Sequence, residues 1–228
     1  MNAHRKTAII VGVLFIIGTV AGVLSSTFSG SILDDPDYLI TFSANENQIK
    51  IGELLILIMG FALAMVPVML FPILKKQNEG LALGSIVFRG ALEAVAYIVI
   101  VVISLTLIKL SQEYVHAGSP DDSYFQTLGT LLQAASHWME QILDVVFPLG
   151  GLMIYYLFYQ SKLIPRWLSG WGLIGAVLYL AVPILGILGF ELDAIMFVLA
   201  AQEMVFAVWL IVKGFNPSAI ASLSAKQL

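Results

Sequence analysis

Long apolar runs separated by short polar segments set the pattern of this chain. Six runs stand out, at residues 7–24, 51–74, 81–108, 138–159, 167–190 and 194–212. Each is about as long as the roughly 20 apolar residues that an α-helix needs to cross a hydrocarbon core. A spanning segment has to satisfy its own backbone hydrogen bonds, so the runs predict helices and not open strands. Arg5 and Lys6 before the first run, with Ser25 and Ser26 after it, also resemble a signal peptide. The run is long for a signal core, and a retained first span is expected.

The polar segments between the runs carry their own information. Residues 29–50 hold Asp34, Asp35, Asp37 and Glu46, and residues 111–123 hold Glu113, Asp121 and Asp122. Glu191 and Asp193 mark a third acidic turn, while residues 77–80 form a short one. Residues 124–136 are expected as a helix lying at the interface before span four. Pro67 and Pro72 in span two and Pro183 in span five each remove a backbone donor and favour a bend. Gly18 and Gly22 form a small-xxx-small contact on span one, and Gly150–Gly151 beyond Pro148 allow a close neighbouring backbone in span four.

Charge gives the orientation. Arg5, Lys6, Lys75, Lys76, Lys162, Arg166, Lys213 and Lys226 collect on one side, with Glu79 as its single acid. The three acidic loops collect on the other, bordered by Lys50 and Lys109. By the positive-inside bias both termini are cytoplasmic. Tyr155, Tyr156, Tyr159, Trp167, Trp171 and Trp209 are expected as an inner aromatic belt, with Trp138 and Tyr114 at the outer one.

Composition agrees with this reading. Of 228 residues 59% are hydrophobic and 11% charged, where a soluble domain carries about 25% charged. The bilayer is therefore the expected solvent, and the expected fold class is an all-α integral membrane protein, one polytopic domain over residues 1–228 with six transmembrane helices. Cysteine is absent, which removes disulfides, thiolate metal sites and a cysteine nucleophile. The net charge of −4 and the lack of a basic stripe argue against nucleic acid as a partner.

Ionisable residues at membrane depth are costly and need a reason. Glu203 lies near the midpoint of span six, and Glu93 near that of span three with Arg89 one turn away. An i,i+4 pair of Arg89 and Glu93 leaves Glu203 either protonated or sharing the same guanidinium. A clamp between spans three and six and a proton- or cation-exchanging carboxylate are both consistent with this trio. A second set lies toward the outer side. Gln133, His137, Glu140 and Asp144, at spacings of four, three and four, fall within about one quarter of a helix surface, and Glu53 sits just inside span two. Such a stripe is often a solvated helix face. It could also line a mouth for protons or, with His137, Glu140 and Asp144 as ligands, hold a divalent ion. A zinc site built from nitrogen and oxygen ligands usually needs more than one histidine, however, and no HExxH is present. No nucleotide-binding loop, serine elbow or haem-type histidine pair appears either.

Four phrases, FPILKKQNEGLALG, FRGALEAVAY, YQSKLIPRWLSGWGLIGA and QEMVFAVWLIVKGFNPSA, resemble the bacterial membrane family called domain of unknown function 4386. The resemblance covers nearly the whole chain and implies a multi-pass protein of about six spans in the bacterial inner membrane. It brings no established activity. Arg89 and Glu93 fall in one phrase, and Arg166, Trp167, Gln202 and Glu203 in others, while His137, Glu140 and Asp144 lie outside them. The expected function is passage or binding of a small solute, proton or cation through a polar interior, with no cofactor and with a homodimer as one way to complete a pathway. The alternatives are an intramembrane metal hydrolase, with Glu140 or Asp144 as base and His137 as ligand, and a non-catalytic subunit of a larger membrane complex.

Overall fold

The computed structural model describes residues 2–29, 32, 35, 37–118, 123–187 and 195–225. Every regular element among them is helical: α1 (Ala3–Ser29), α2 (Tyr38–Ala44), α3 (Glu46–Leu74), α4 (Glu79–Ser85), a π-helical segment (Ile86–Leu92), α5 (Glu93–His116), α6 (Ser123–Ser161), α7 (Arg166–Ile187), α8 (Met196–Val212) and α9 (Pro217–Ala225). Asp34, Asp121, Asp122, Glu191, Asp193 and Lys226 lie outside the described residues.

Five stretches are long and apolar enough to cross a membrane: Ala3–Phe28, Glu46–Leu74, Glu79–His116, Tyr124–Ser161 and Arg166–Leu185. The pair Phe197–Val212 and Pro217–Ala225, bent by 86°, brings the number to six if it counts as one span. Exposed large apolar side chains recur along these helices at helical spacing, as with Ile10, Val13, Ile17, Val20 and Leu24 of α1. Water penalises such stripes and lipid does not.

The helices run further than the apolar pattern alone predicts. The expected interfacial helix at 124–136 is not a separate element, because α6 continues unbroken through it for 39 residues. At 1.5 Å per residue that helix is about 58 Å long, more than a hydrocarbon core of about 30 Å requires. The polar segment 29–50 likewise contains α2 and the first turn of α3, and α5 continues to His116. Polar residues end an apolar run without ending a helix.

The chain divides into two compact units. The first comprises Met1–Ile17, Phe61–Ala94 and Leu143–Leu228. Its core centres on Phe206, whose ring meets those of Phe15, Tyr155 and Phe158 with centroids at 5.6, 6.1 and 5.3 Å. Gly12 lets α1 approach α8 closely, since a Cβ there would lie 2.6 Å from the Ala207 carbonyl oxygen. Arg5 fastens the same two helices by donating to the carbonyls of Leu210, Ile211 and Val212, at 3.0, 2.6 and 3.3 Å. A cation is favoured at a helix C-terminus, where the last carbonyls lack intrahelical donors. Gly214, with φ 73°, turns the chain from α8 into α9, and its N–H reaches back to the Trp209 carbonyl.

The second unit comprises Gly18–Gly60 and Val95–Ile142. Its core gathers Ile32, Tyr38, Leu39, Phe42, Ile49, Leu107, Ile108 and Tyr114. The Tyr114 ring meets Phe125 edge-on at 5.5 Å. Asp35 organises the entry to α2, accepting from the Asp37 N–H at 2.9 Å and from the Thr41 hydroxyl at 2.8 Å.

Candidate functional site

Arg89 is the largest fully buried side chain among the described residues, 1% exposed. It stands in the π-helical segment Ile86–Leu92, which begins just after Ser85 returns its hydroxyl to the Ala82 carbonyl at 2.7 Å. Glu93 closes the segment, its N–H reaching back to the Phe88 carbonyl. Gly90 faces α3 at Ala64 and Pro67. On the other side Gly150 admits α6, because a Cβ there would lie 2.6 Å from the Arg89 backbone nitrogen. π-Turns within helices are frequent at functional sites, and this one is wedged between two close backbones.

The guanidinium serves two carboxylates. Nη1 donates to both Glu93 oxygens at 2.9 Å, and Nη2 donates to Glu203 Oε1 at 2.9 Å. Tyr155 adds a hydroxyl donor to the same Glu203 oxygen at 3.3 Å. The Phe147 ring lies 4.1 Å from the guanidinium carbon and the Phe15 ring 6.0 Å, so the cation is also faced by aromatic π-systems. Glu93 is closed off at 1% side-chain exposure, whereas Glu203 keeps 10%. Of the two arrangements open for Glu203, the shared guanidinium is the one observed. One positive and two negative groups meet in a setting from which water is largely excluded.

Two neighbours extend this site within the first unit. Asp144 accepts a hydrogen bond from Tyr179 at 2.9 Å, and the Tyr179 ring meets Phe147 at 4.9 Å. Asp144 thus reaches the guanidinium through Tyr179 and Phe147. Gln202 is fully buried and donates to the Leu168 carbonyl at 3.1 Å, while its Oε1 has no hydrogen-bond partner among the described residues.

The second unit holds most of the polar stripe. Gln133, His137 and Glu140 line a cavity of about 230 Å³ together with Ser104, Ser136 and apolar residues of α2, α5 and α6. Glu53, 6% exposed, receives the Ser104 hydroxyl on Oε1 at 2.7 Å, and its Oε2 is buried with no hydrogen-bond partner among the described residues. The stripe is therefore divided: Glu53, Gln133, His137 and Glu140 belong to the second unit and Asp144 to the first. The His137 ring meets Trp138, with centroids 5.9 Å apart. Among the described residues no group of three or more His, Asp or Glu is placed to hold a metal ion.

Tyr155 corrects the aromatic pattern. Expected in an inner belt with Tyr156 and Tyr159, it is 1% exposed and bonded to Glu203, while the other two are 44% and 39% exposed. Its ring fits because α7 carries Gly172, where a Cβ would lie 2.5 Å from the ring. The hydroxyl of a tyrosine at helical spacing does not announce which face it occupies.

A family model described as domain of unknown function (DUF4386) matches residues 10–214. The chain belongs to the DUF4386 family. The match contains Arg89, Glu93, Tyr155 and Glu203, and it includes both the triad and the polar stripe. No curated protein and no solved structure matches this DUF4386 chain. Membership supplies no activity, so the chemistry rests on the side chains themselves.

Proposed function

We propose that this DUF4386 protein is a multi-pass protein of the bacterial inner membrane, with six spans and cytoplasmic termini, that binds or passes a proton or small cation at Arg89, Glu93 and Glu203. One observation carries the reading: a single buried guanidinium is shared by two buried carboxylates. Ionised, the trio has a net charge of −1, which apolar surroundings penalise and which a proton or a cation balances. Glu203 is the exchanging group, because it keeps some exposure and binds the guanidinium through one oxygen only. Glu93 anchors Arg89 by both oxygens.

Reconstitution in liposomes with an internal pH-sensitive dye and an imposed potassium diffusion potential tests this. Wild-type protein should acidify the lumen faster than empty liposomes, and Glu203→Gln should abolish the difference. Gly22→Ala, whose new methyl meets only the flexible Met59 side chain, should leave it intact. A triad that merely clamps helices would give Glu203→Gln wild-type flux, and that result would sink the proposal.

A further inference from the structure

We infer that the basic end of the first unit seats an anionic phospholipid, with its headgroup among Lys162, Arg166 and Lys213 and an acyl chain along α8. The inference rests on the membrane reading and not on the chemistry of the triad. A cavity of about 480 Å³ opens where the α6–α7 turn meets the α8–α9 turn, and Lys162, Arg166, Trp209, Lys213 and Asn216 line it. Its lining includes no carboxylate. All three cations are exposed, and among the described residues none of them forms an ion pair. Arg166 lies over the Tyr159 ring at 5.2 Å, which fixes the guanidinium and leaves its edge donors available.

Lys162 adds a backbone observation. It has φ 56°, the one positive φ among the described non-glycine residues. The position follows the end of α6, where glycine is the usual occupant because a Cβ is strained there. A lysine at that point accepts the strain and places an ammonium at the cup.

An apolar groove of about 420 Å³ adjoins the cup. Met204, Val205, Val208 and Val212 line it, and it shares Trp209 and Lys213 with the basic cavity. Cations, then a tryptophan, then an aliphatic channel is the order of headgroup, interface and chain in a phospholipid. Cations that only fix orientation need to lie on the same side of the membrane. They need not line one cavity that opens into an apolar groove.

Native mass spectrometry of the purified full-length protein, titrated with phosphatidylglycerol, with phosphatidylcholine of the same chains, and with inorganic phosphate, tests the seat. Phosphatidylglycerol should bind at least tenfold more tightly than phosphatidylcholine. Lys162→Gly and Lys213→Gln should each weaken it about fivefold, the effect of one cation near a lipid headgroup, and leave phosphatidylcholine unchanged. Lys162→Gly also relieves the left-handed strain, so its melting temperature should equal or exceed wild type and its lost binding cannot be ascribed to unfolding. Val208→Trp, which fills the groove, should weaken both lipids. Equal affinity for the two lipids, an unchanged phosphatidylglycerol affinity in both lysine variants, or an unchanged affinity in Val208→Trp overturns the inference. Inorganic phosphate binding as tightly as the lipid would assign the cup to a free anion and overturn it too.

Discussion

Arg89→Met should be among the most destabilising single substitutions in this protein, and combining it with Glu93→Gln and Glu203→Gln should largely repair the damage. Methionine fills a similar volume, so the loss is electrostatic and not a cavity. The guanidinium makes three hydrogen bonds to two buried carboxylates and faces the Phe147 ring at 4.1 Å. Removing it leaves Glu93 and Glu203 uncompensated, and breaking a buried ion pair from one side costs about 3–5 kcal/mol. For a chain of this length 1 kcal/mol moves Tm by about 2–4 °C, which gives a fall of about 6–20 °C. The triple variant removes the stranded charges as well. A neutral set of similar volume is often as stable as the ion pair it replaces, so at least half of the fall should be recovered. Thermal unfolding in detergent, followed by the fluorescence of the half-buried Trp171 and Trp209, measures both. If Arg89→Met melts within 2 °C of wild type, or the triple variant is no better than the single one, the guanidinium does not neutralise the carboxylates as described.

Two further outcomes follow from other parts of the fold. Gly150→Ala should cost about 1–3 kcal/mol, the usual range for overpacking, because the new methyl would lie 2.6 Å from the Arg89 backbone nitrogen, which cannot rotate away as a side chain could. Urea or thermal unfolding of the purified variant checks it, and a stability equal to wild type would show that α6 is not pressed against the π-turn. The Asp35 carboxyl is held below its ordinary value near 3.8 by the Asp37 N–H, then by the Thr41 hydroxyl. A lowered folded-state pKa contributes stability above the unfolded value and loses it as the pH falls. Amide exchange in α2 should therefore quicken as the pH drops below about 4 relative to the intrinsic rate, and Asp35→Asn should remove that dependence.

How far the sequence could be read depended on what each residue has to satisfy. Apolar runs of sufficient length predicted the helices, because lipid leaves the backbone no other regular partner. Arg89 and Glu93 were legible as a pair from their spacing, and Glu203 stood out as a charge without company. That one guanidinium would serve both carboxylates was settled only by the long-range contact of Arg89 with Glu203 on α8, which no local pattern contains. The π-turn itself carried no sequence signal. Tyr155, Tyr179 and Phe147 looked like ordinary span aromatics, and only their rotation about the helix axis makes them neighbours of charge. The polar stripe shows what periodicity leaves open. Its four residues share a helix face by periodicity, yet Asp144 bonds Tyr179 in one unit while Gln133, His137 and Glu140 line a cavity of the other.

The clasp between Arg5 and the end of α8 also bears on how the protein is made. Its donor and its three acceptors are separated by 205 to 207 residues, so the first helix leaves the ribosome long before its partner exists. At ordinary elongation rates of about 5–20 residues per second, Arg5 waits about 10–40 s for those carbonyls. During that interval the face of α1 at Gly12 lacks the Ala207 backbone that covers it in the finished fold, although Gly22 of the same helix already has its neighbour Met59 of α3. Closure of the first unit is thus a late event in biogenesis. A chain that stops before residue 210 would lack all three carbonyls that fasten Arg5.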